Sequence, residues 1–403
     1  GQGFGWGNCG RQLSKRLGEK GANIIEDNPK VGFNKLDGSL LQAVSGPDFG
    51  YTRPILADLQ FGYGFIENNL LALEFLPLAD RLWDFIISGS SWMMNVLSES
   101  ERFRDMNGGV CVQGVDPSVF SFDGPSHAAK DENVFTVGSF GKFEYRKGQD
   151  VVIKAFKLFK MRHSDVRLVH CWGNLWPSLI TDMASIPDAM VKPPVLSDAG
   201  YYSTGMVFDD MLEAEGISSK HHFKAINQDE YAMAALYRAC DVALFPNRCE
   251  AGTNLALHEA LACGLPCIAT DATGHTDLTR ADGYPCEELS LTGGANYVHK
   301  VGDVEVGTWH KPCLEEILSQ LEYAYRNRDE LKAKRLRATA VIGQQMQATS
   351  DMYDRVIAAG AAVEAAREAA EKAHLSALTE QLRDLNEMAQ ELGEFANAGP
   401  TTD

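Results

Sequence analysis

Short apolar runs along the chain alternate with longer stretches in which apolar residues return every three or four positions. The short runs, bounded by Gly, Pro and polar residues, predict strands, and the longer ones predict helices. Their alternation predicts βα units on parallel sheets, an α/β fold. In the first part, 11–21 reads as a helix ending at Gly21, 22–25 as a strand, and 83–87 as a strand running through Ser88-Gly-Ser-Ser91 into a helix. Residues 110–112 read as a short strand before Gln113-Gly-Val-Asp-Pro117. Residues 121–131, polar with Gly and Pro, read as a linker.

A second α/β set follows. Strands are predicted over 134–137, 166–171, 242–245 and 266–270, and helices over 148–162, 231–240, 254–263, 312–326 and 328–356. The 148–162 helix puts Val151, Val152, Ala155, Phe156 and Phe159 on one face. An Ala/Glu-rich stretch runs on to about residue 395, and a frayed tail closes the chain. Leu375, Leu378, Leu382, Leu385, Ala389, Leu392 and Ala396 form a seam at helical spacing. That seam suits a terminal helix docked on its own protein or a short coiled coil joining two chains as a homodimer. The expected domains are 1–125, 131–345 and a helical extension over 346–403. Two α/β halves facing across a cleft place ligands at the carboxyl ends of the strands.

A length of 403 residues agrees with two domains or three. Apolar residues at 45% and charged residues at 23% exclude a disordered, collagen-like or disulfide-scaffold chain. The formal charge of −18 argues against gripping nucleic acid or anionic lipid through bulk charge, so an anionic ligand needs a local site. The most apolar region, 70–87, is broken by Glu74, Asp80, Arg81 and Asp84, and no membrane span is expected. No basic-then-apolar signal opens the chain; it begins at Gly1 without Met, which leaves room for a segment upstream. Nine Cys scattered among apolar neighbours suggest reduced thiols and a cytoplasmic protein. Cys263 and Cys267 lack a matching second pair, which argues against zinc at that pair.

Three stretches carry candidate chemistry. The opening run holds a formal GxGxxG at Gly5, Gly7 and Gly10, with Glu26 and Asp27 at dinucleotide-fingerprint spacing. It is read as a glycine loop whose Gly3 and Gly5 backbone faces a cleft, with nicotinamide or flavin binding and a plain turn left open. Gly141-Lys-Phe-Glu-Tyr-Arg-Lys-Gly148 follows a strand and opens a helix. Its cations, Lys142, Arg146 and Lys147, suit either a diphosphate clamp or a solvated turn. The stretch from Phe245 to Pro266 puts Glu250 in a loop, opens a helix at Gly252-Thr253-Asn254 and carries Glu259 inside it. The helix start presents N–H groups to an anion, and Glu259 suits two ribose hydroxyls or a plain surface position. His258 reads as packed or exposed, and His275 as a residue that could face the cleft. The sequence has no Asp-x-Asp triplet of the sort that holds a metal on a diphosphate.

Together, 141–148, 250–266 and 113–117 resemble glycosyltransferase family 4, retaining GT-B enzymes that use nucleotide-diphosphate sugars. The resemblance spans about 1–345 and is stronger in the second half. It implies a GT-B fold: two Rossmann-like domains, the first on the acceptor side and the second binding the donor. It implies that Lys142 and Lys147, with Arg146 beside them, hold the donor diphosphate. Glu250 would take the sugar hydroxyls, Glu259 the ribose, and Gly252, Thr253 and Asn254 the distal phosphate. Lys142, Lys147 and Glu250 become the expected catalytic residues, with no metal and no cofactor besides the donor substrate. Eight residues separate the two glutamates where the family usually has seven, and no His precedes His127. The implied activity is metal-independent hexosyl transfer to an acceptor hydroxyl on an unidentified glycan, lipid or protein. The alternatives are a binding or scaffold protein on the same fold, or a dinucleotide-dependent oxidoreductase.

Overall fold

The computed structural model describes residues 34–104, 109–128, 130–174, 177–193, 206–226 and 228–334, with parts of 10–22 and 342–385. Residues 23–25 of the strand expected at 22–25, the glycines Gly3, Gly5 and Gly7, and Glu26 and Asp27 lie outside the described residues. The 11–21 helix ends where expected: Gly21 takes φ 92°, and Ala22 N–H reaches back to the Leu17 carbonyl at 3.0 Å.

The first sheet has three parallel strands in the order β1 (Asn34–Ala43), β2 (Ile55–Gly64) and β3 (Phe85–Ser88). The helix Asn69–Leu82 crosses from β2 to β3 and buries Ala72, Leu76 and Ala79, one stripe at helical spacing. Ser90 Oγ accepts from Met93 N–H and caps the next helix, Ser91–Leu97. Among the described residues, the strand expected over 110–112 is only a single bridge, Val110 to Ser88. Three residues are too few for an apolar run to separate a strand from an extended segment. β1 and β2 were not anticipated. Both interrupt their apolar residues with polar ones, Asp37, Ser39 and Gln42 in β1 and Asp58 and Gln60 in β2, and β1 has a bulge around Gly38, which takes φ 89°.

The second sheet has six parallel strands: β4 (Phe135–Lys142), β5 (Val166–Gly173), β6 (His222–Lys224), β7 (Val242–Phe245), β8 (Cys267–Thr270) and β9 (Ser290–Leu291). Their order is β6-β5-β4-β7-β8-β9. The chain winds outward from β4 to β6, then returns to pair β7 against β4 and winds the other way. The loops after β4 and β7 therefore open side by side at a topological switch point, where doubly wound sheets bind ligands. β4 and β7 are apolar and buried, as central parallel strands must be. The helix Gln149–Lys160 buries the face predicted for it.

A two-stranded hairpin, β10 (Gly294–Val301) and β11 (Val304–Pro312), was also unanticipated. It corrects the helix expected from Pro312: that residue ends β11, and the helix runs Leu314–Arg326. Residues 328–334 are helical, and most of the remainder of the expected 328–356 helix lies outside the described residues. The 121–128 segment is tied to the second domain: Arg238 donates to the Ser121 and Pro125 carbonyls at 3.0 and 2.9 Å. In the C-terminal helix, Leu375, Leu378, Leu382 and Leu385 are exposed; the rest of the seam lies outside the described residues. No described helix is long and apolar enough to cross a membrane. None of the eight described cysteines is in a disulfide.

Candidate active site

The switch point brings the predicted cation loop against the predicted glutamate loop. Gly148, at φ 75°, makes the approach possible: a Cβ there would run into the Pro246 carbonyl. Arg248 reaches across from the glutamate loop and pairs with buried Asp150 through two bonds of 2.8 Å, one to each carboxylate oxygen. Its guanidinium also lies 3.8 Å from the Tyr145 ring centre. These contacts lock the two loops together.

Glu250 sits at their meeting point. Lys147 Nζ lies 2.5 Å from Oε1, and Arg146 donates to Oε2 at 3.0 Å. Asn247 adds an amide donor to Oε1. Burial alone would push the Glu250 carboxyl up, but Lys147 and Arg146 outweigh it and hold it at about 2. Arg146 is shared with Glu144 at 2.8 Å and with Glu67 of the first domain at 3.2 Å. Lys142, at the carboxyl end of β4, has its ammonium pKa depressed by burial and by the neighbouring cations, against the pull of Glu144 and Glu67.

Gly252, Thr253 and Asn254 lead into the helix Leu255–Ala262. Asn254 takes φ 65°, an uncommon conformation for a residue with a side chain. It is held by a contact of 3.3 Å between its amide and His275 Nε2. His275 Nδ1 lies 3.1 Å from the Thr270 carbonyl, which can only accept. Nδ1 therefore carries the proton and Nε2 accepts from Asn254. Burial lowers the His275 pKa to about 4, which keeps that tautomer neutral. His275 is thus buried behind the loop as an orienting residue. His258 is buried as well, with a pKa lowered to about 3. The Thr253 hydroxyl is buried without a hydrogen-bond partner. Thr273 Oγ1 accepts from Glu250 N–H at 3.0 Å, and Gly274 N–H donates to the Glu250 carbonyl at 2.8 Å.

Glu259 occupies a different environment. It is buried, and its Oε2 accepts from the Tyr237 hydroxyl at 2.7 Å. Desolvation raises its pKa to about 8, only partly offset by that bond. Glu259 is therefore no surface residue, and burial favours its protonated form where Glu250 is held ionised.

The first domain closes over this site. The Phe65 ring lies against both Gly89 and Gly252, where a Cβ on either glycine would collide with it. Ser90 Oγ donates to the Ala251 carbonyl at 2.5 Å, and Ser91 N–H donates to Asp277 at 2.6 Å. The hairpin joins from below: Trp309 Nε1 donates to the Glu67 carbonyl at 3.0 Å, and Thr308 N–H to Asn69 Oδ1 at 2.7 Å. Sequence reasoning missed Phe65, Glu67, Ser90 and Asn247. Asn247, three residues before Glu250, lay in a stretch marked for chemistry, and Ser90 in Ser88-Gly-Ser-Ser91, which was read only as a strand-to-helix turn. The structure brings Lys147, Arg146 and Glu250 into contact and carries Gly252, Thr253 and Asn254 on the same loop; Gly3 and Gly5 lie outside the described residues.

No curated protein matches the chain. Among solved structures, Anabaena Alr3699/HepE in complex with UDP and glucose is 14% identical with a TM-score of 0.48, covering 74% of this chain and 72% of that one. Sucrose-phosphate synthase from Thermosynechococcus elongatus is 16% identical with a TM-score of 0.47, covering 74% and 68%. A UDP-forming α,α-trehalose-phosphate synthase from Burkholderia xenovorans is 16% identical with a TM-score of 0.48, covering 74% and 67%. Residues 199–298, which hold the Glu250 loop, the Leu255–Ala262 helix and His275, match the family model described as Glycosyl transferases group 1.

Proposed function

We propose that this chain is a retaining glycosyltransferase that moves a hexosyl group from a nucleotide diphosphate to an acceptor hydroxyl without a metal at the diphosphate. The observation that carries the reading is the convergence of Lys147 and Arg146 on Glu250 at the switch point, beside the Gly252–Asn254 helix entry. The diphosphate takes the place of Glu250 as the partner of Lys147, with Lys142 beside it. The Thr253 hydroxyl and the free N–H groups of the helix start receive the distal phosphate. Glu250, released from Lys147 and still paired with Arg146, accepts from the sugar hydroxyls. Glu259 serves the ribose.

In the transfer, the bond from the sugar anomeric carbon to the leaving phosphate oxygen breaks. A bond from the same carbon to the acceptor oxygen forms on the same face. The acceptor proton passes to the leaving phosphate oxygen. Negative charge grows on the diphosphate, and Lys147, Lys142 and the helix terminus stabilise it there. The expected domains, 1–125 for the acceptor and 131–345 for the donor, place acceptor choice in the first-domain loops around Phe65 and Ser88–Ser91.

A thermal-shift screen across nucleotide sugars tests this, since a donor at 100 times its dissociation constant adds about 2.7 kcal/mol of apparent stability. The donor that binds is then assayed for transfer, with the product anomer read by NMR and with EDTA present. We expect transfer with retention, surviving chelation. Binding without hydrolysis or transfer points to the scaffold reading; stabilisation by a nicotinamide dinucleotide instead of any nucleotide sugar points to the oxidoreductase. Loss of activity on chelation, restored by manganese, removes the metal-independent mechanism.

A further inference from the structure

At the far edge of the second sheet, β5, β6 and the helix Met206–Ala214 bring together His170, His222 and Asp209. In the β5–β6 register, Leu168 faces His222 and His170 faces Lys224. His170 and His222 therefore lie on the same face of the sheet, and their ring centres are 5.6 Å apart. One ligand atom from each of the three residues lies within 4.8 Å of the others.

Their polar atoms are unusually idle. Both ring nitrogens of His170, both of His222 and Oδ1 of Asp209 are buried without a hydrogen-bond partner. His170 itself is fully buried. Five such buried atoms in one cluster each lack the hydrogen bond they would make in water. A metal ion that takes one lone pair from each of the three side chains gives three of these five atoms a partner, and the second nitrogen of each neutral ring remains an N–H donor. Burial disfavours the imidazolium form of both histidines, which leaves neutral rings with lone pairs to offer. Asp209 Oδ2 is meanwhile paired with Lys224, which turns Oδ1 toward the histidines. That is the outer-sphere support that orients a coordinating carboxylate. The Glu213 carboxylate, one turn further along the same helix, also acts on His222 and offsets the Lys224 charge.

We propose that His170, His222 and Asp209 bind one divalent transition-metal ion, zinc by preference, as a structural staple. Two imidazoles and one carboxylate make a three-ligand zinc set with a water in the fourth position. Ligand bonds of about 2.0–2.2 Å require the side chains to close in from their present spacing, by small rotations. The ion would fasten the three-residue edge strand β6 and the Met206–Ala214 helix to β5. The site lies on β5 and β6, on the β4 side of the β4–β7 switch point, and uses none of the residues assigned to the transfer chemistry.

The full chain, stripped of metal, is titrated with Co2+ and then Zn2+, with visible absorption, metal content and melting temperature as readouts. We expect one ion per chain, a four-coordinate Co2+ spectrum without a thiolate charge-transfer band, and a rise in melting temperature with Zn2+. His222→Gln and Asp209→Asn should each weaken Co2+ binding by about tenfold or more. Circular dichroism confirms that each variant is folded, and a variant that unfolds leaves the other to decide. Absence of stoichiometric binding in the wild type, a thiolate band, or unchanged affinity in a folded variant overturns the proposal. Transferase activity is no part of the readout, so its absence does not bear on the metal site.

Discussion

Glu250 and Glu259 belong to one loop and the helix that follows it, yet they meet opposite environments. Glu250 is enclosed by Lys147, Arg146 and Asn247 and is held ionised down to about pH 2. Glu259 is buried against Tyr237 with no cation acting on it, and burial, aided by the Glu230 carboxylate, raises its carboxyl to about 8. Both are buried, and burial pushes both the same way. The difference lies in what other elements bring. The loop after β4 delivers two cations to Glu250 because the sheet reverses direction between β4 and β7. The helix Glu230–Ala239 delivers a hydroxyl to Glu259 and, from its first residue, the Glu230 carboxylate, which pushes Glu259 further up. A motif of two equivalent carboxylates thus becomes an ionic switch partner and a neutral acid that can both donate and accept.

Three experiments can break or sharpen this contrast. The largest effect is expected from the cation that pairs with Glu250. Lys147→Ala should lower kcat/KM by roughly 2–4 kcal/mol, the typical loss for one donor aimed at transition-state charge. Steady-state kinetics with the donor found by screening measure it. A loss confined to donor KM would move Lys147 from the transition state to ground-state binding.

The next is a matter of pH and stability. Glu259 has a folded pKa of about 8, above its ordinary value of 4.5, so the folded state holds a proton that the unfolded state releases. Its contribution is fully present below 4.5 and is lost as pH rises through about 8. Glu250 runs the other way: its contribution is present above 4.5 and is lost as pH falls through about 2. Urea unfolding at about pH 5 and about pH 8 should show Glu259→Gln gaining relative to wild type at the higher pH, with a slope of up to about 1.4 kcal/mol per pH unit. Parallel profiles for wild type and variant would mean that Glu259 is ionised in the folded protein.

The smallest effect concerns ribose. A neutral carboxyl is closely imitated by an amide, so Glu259→Gln should raise donor KM by only about 0.5–1.5 kcal/mol, with kcat little changed. Nucleoside diphosphates lacking the 2′ or 3′ hydroxyl should bind wild type less well, yet bind Glu259→Ala about as well as the normal nucleotide. Full discrimination retained by Glu259→Ala would remove Glu259 from the ribose.

The second sheet was largely legible, and the first was not. Strands buried on both faces must be apolar throughout, so Val242–Phe245 and Cys267–Thr270 stand out as continuous runs between turn residues. β1 and the start of β2 are only partly buried and carry polar residues, so their pattern dissolves into loop-like sequence. The hairpin hid for a related reason: β10 is mostly exposed, with Val298 and Val301 facing outward. Because β2 went unseen, so did Phe65 and Glu67, which follow it and reach Gly252 and Arg146 in the loops after β7 and β4.

What the sequence determined by itself was local: which segments become central strands and their helices, and that cations and a glutamate stand at the ends of two of them. Those properties follow from burial periodicity and from glycines at positive φ, both properties of neighbouring residues. Only the tertiary structure decided that Lys147 and Arg146 meet Glu250, that Glu259 meets Tyr237, and that His170, His222 and Asp209 converge at the β6 edge of the sheet. Protonation and coordination depend on distances between groups far apart in the chain. The order of strands in the sheet sets those distances, and local pattern carries no record of it.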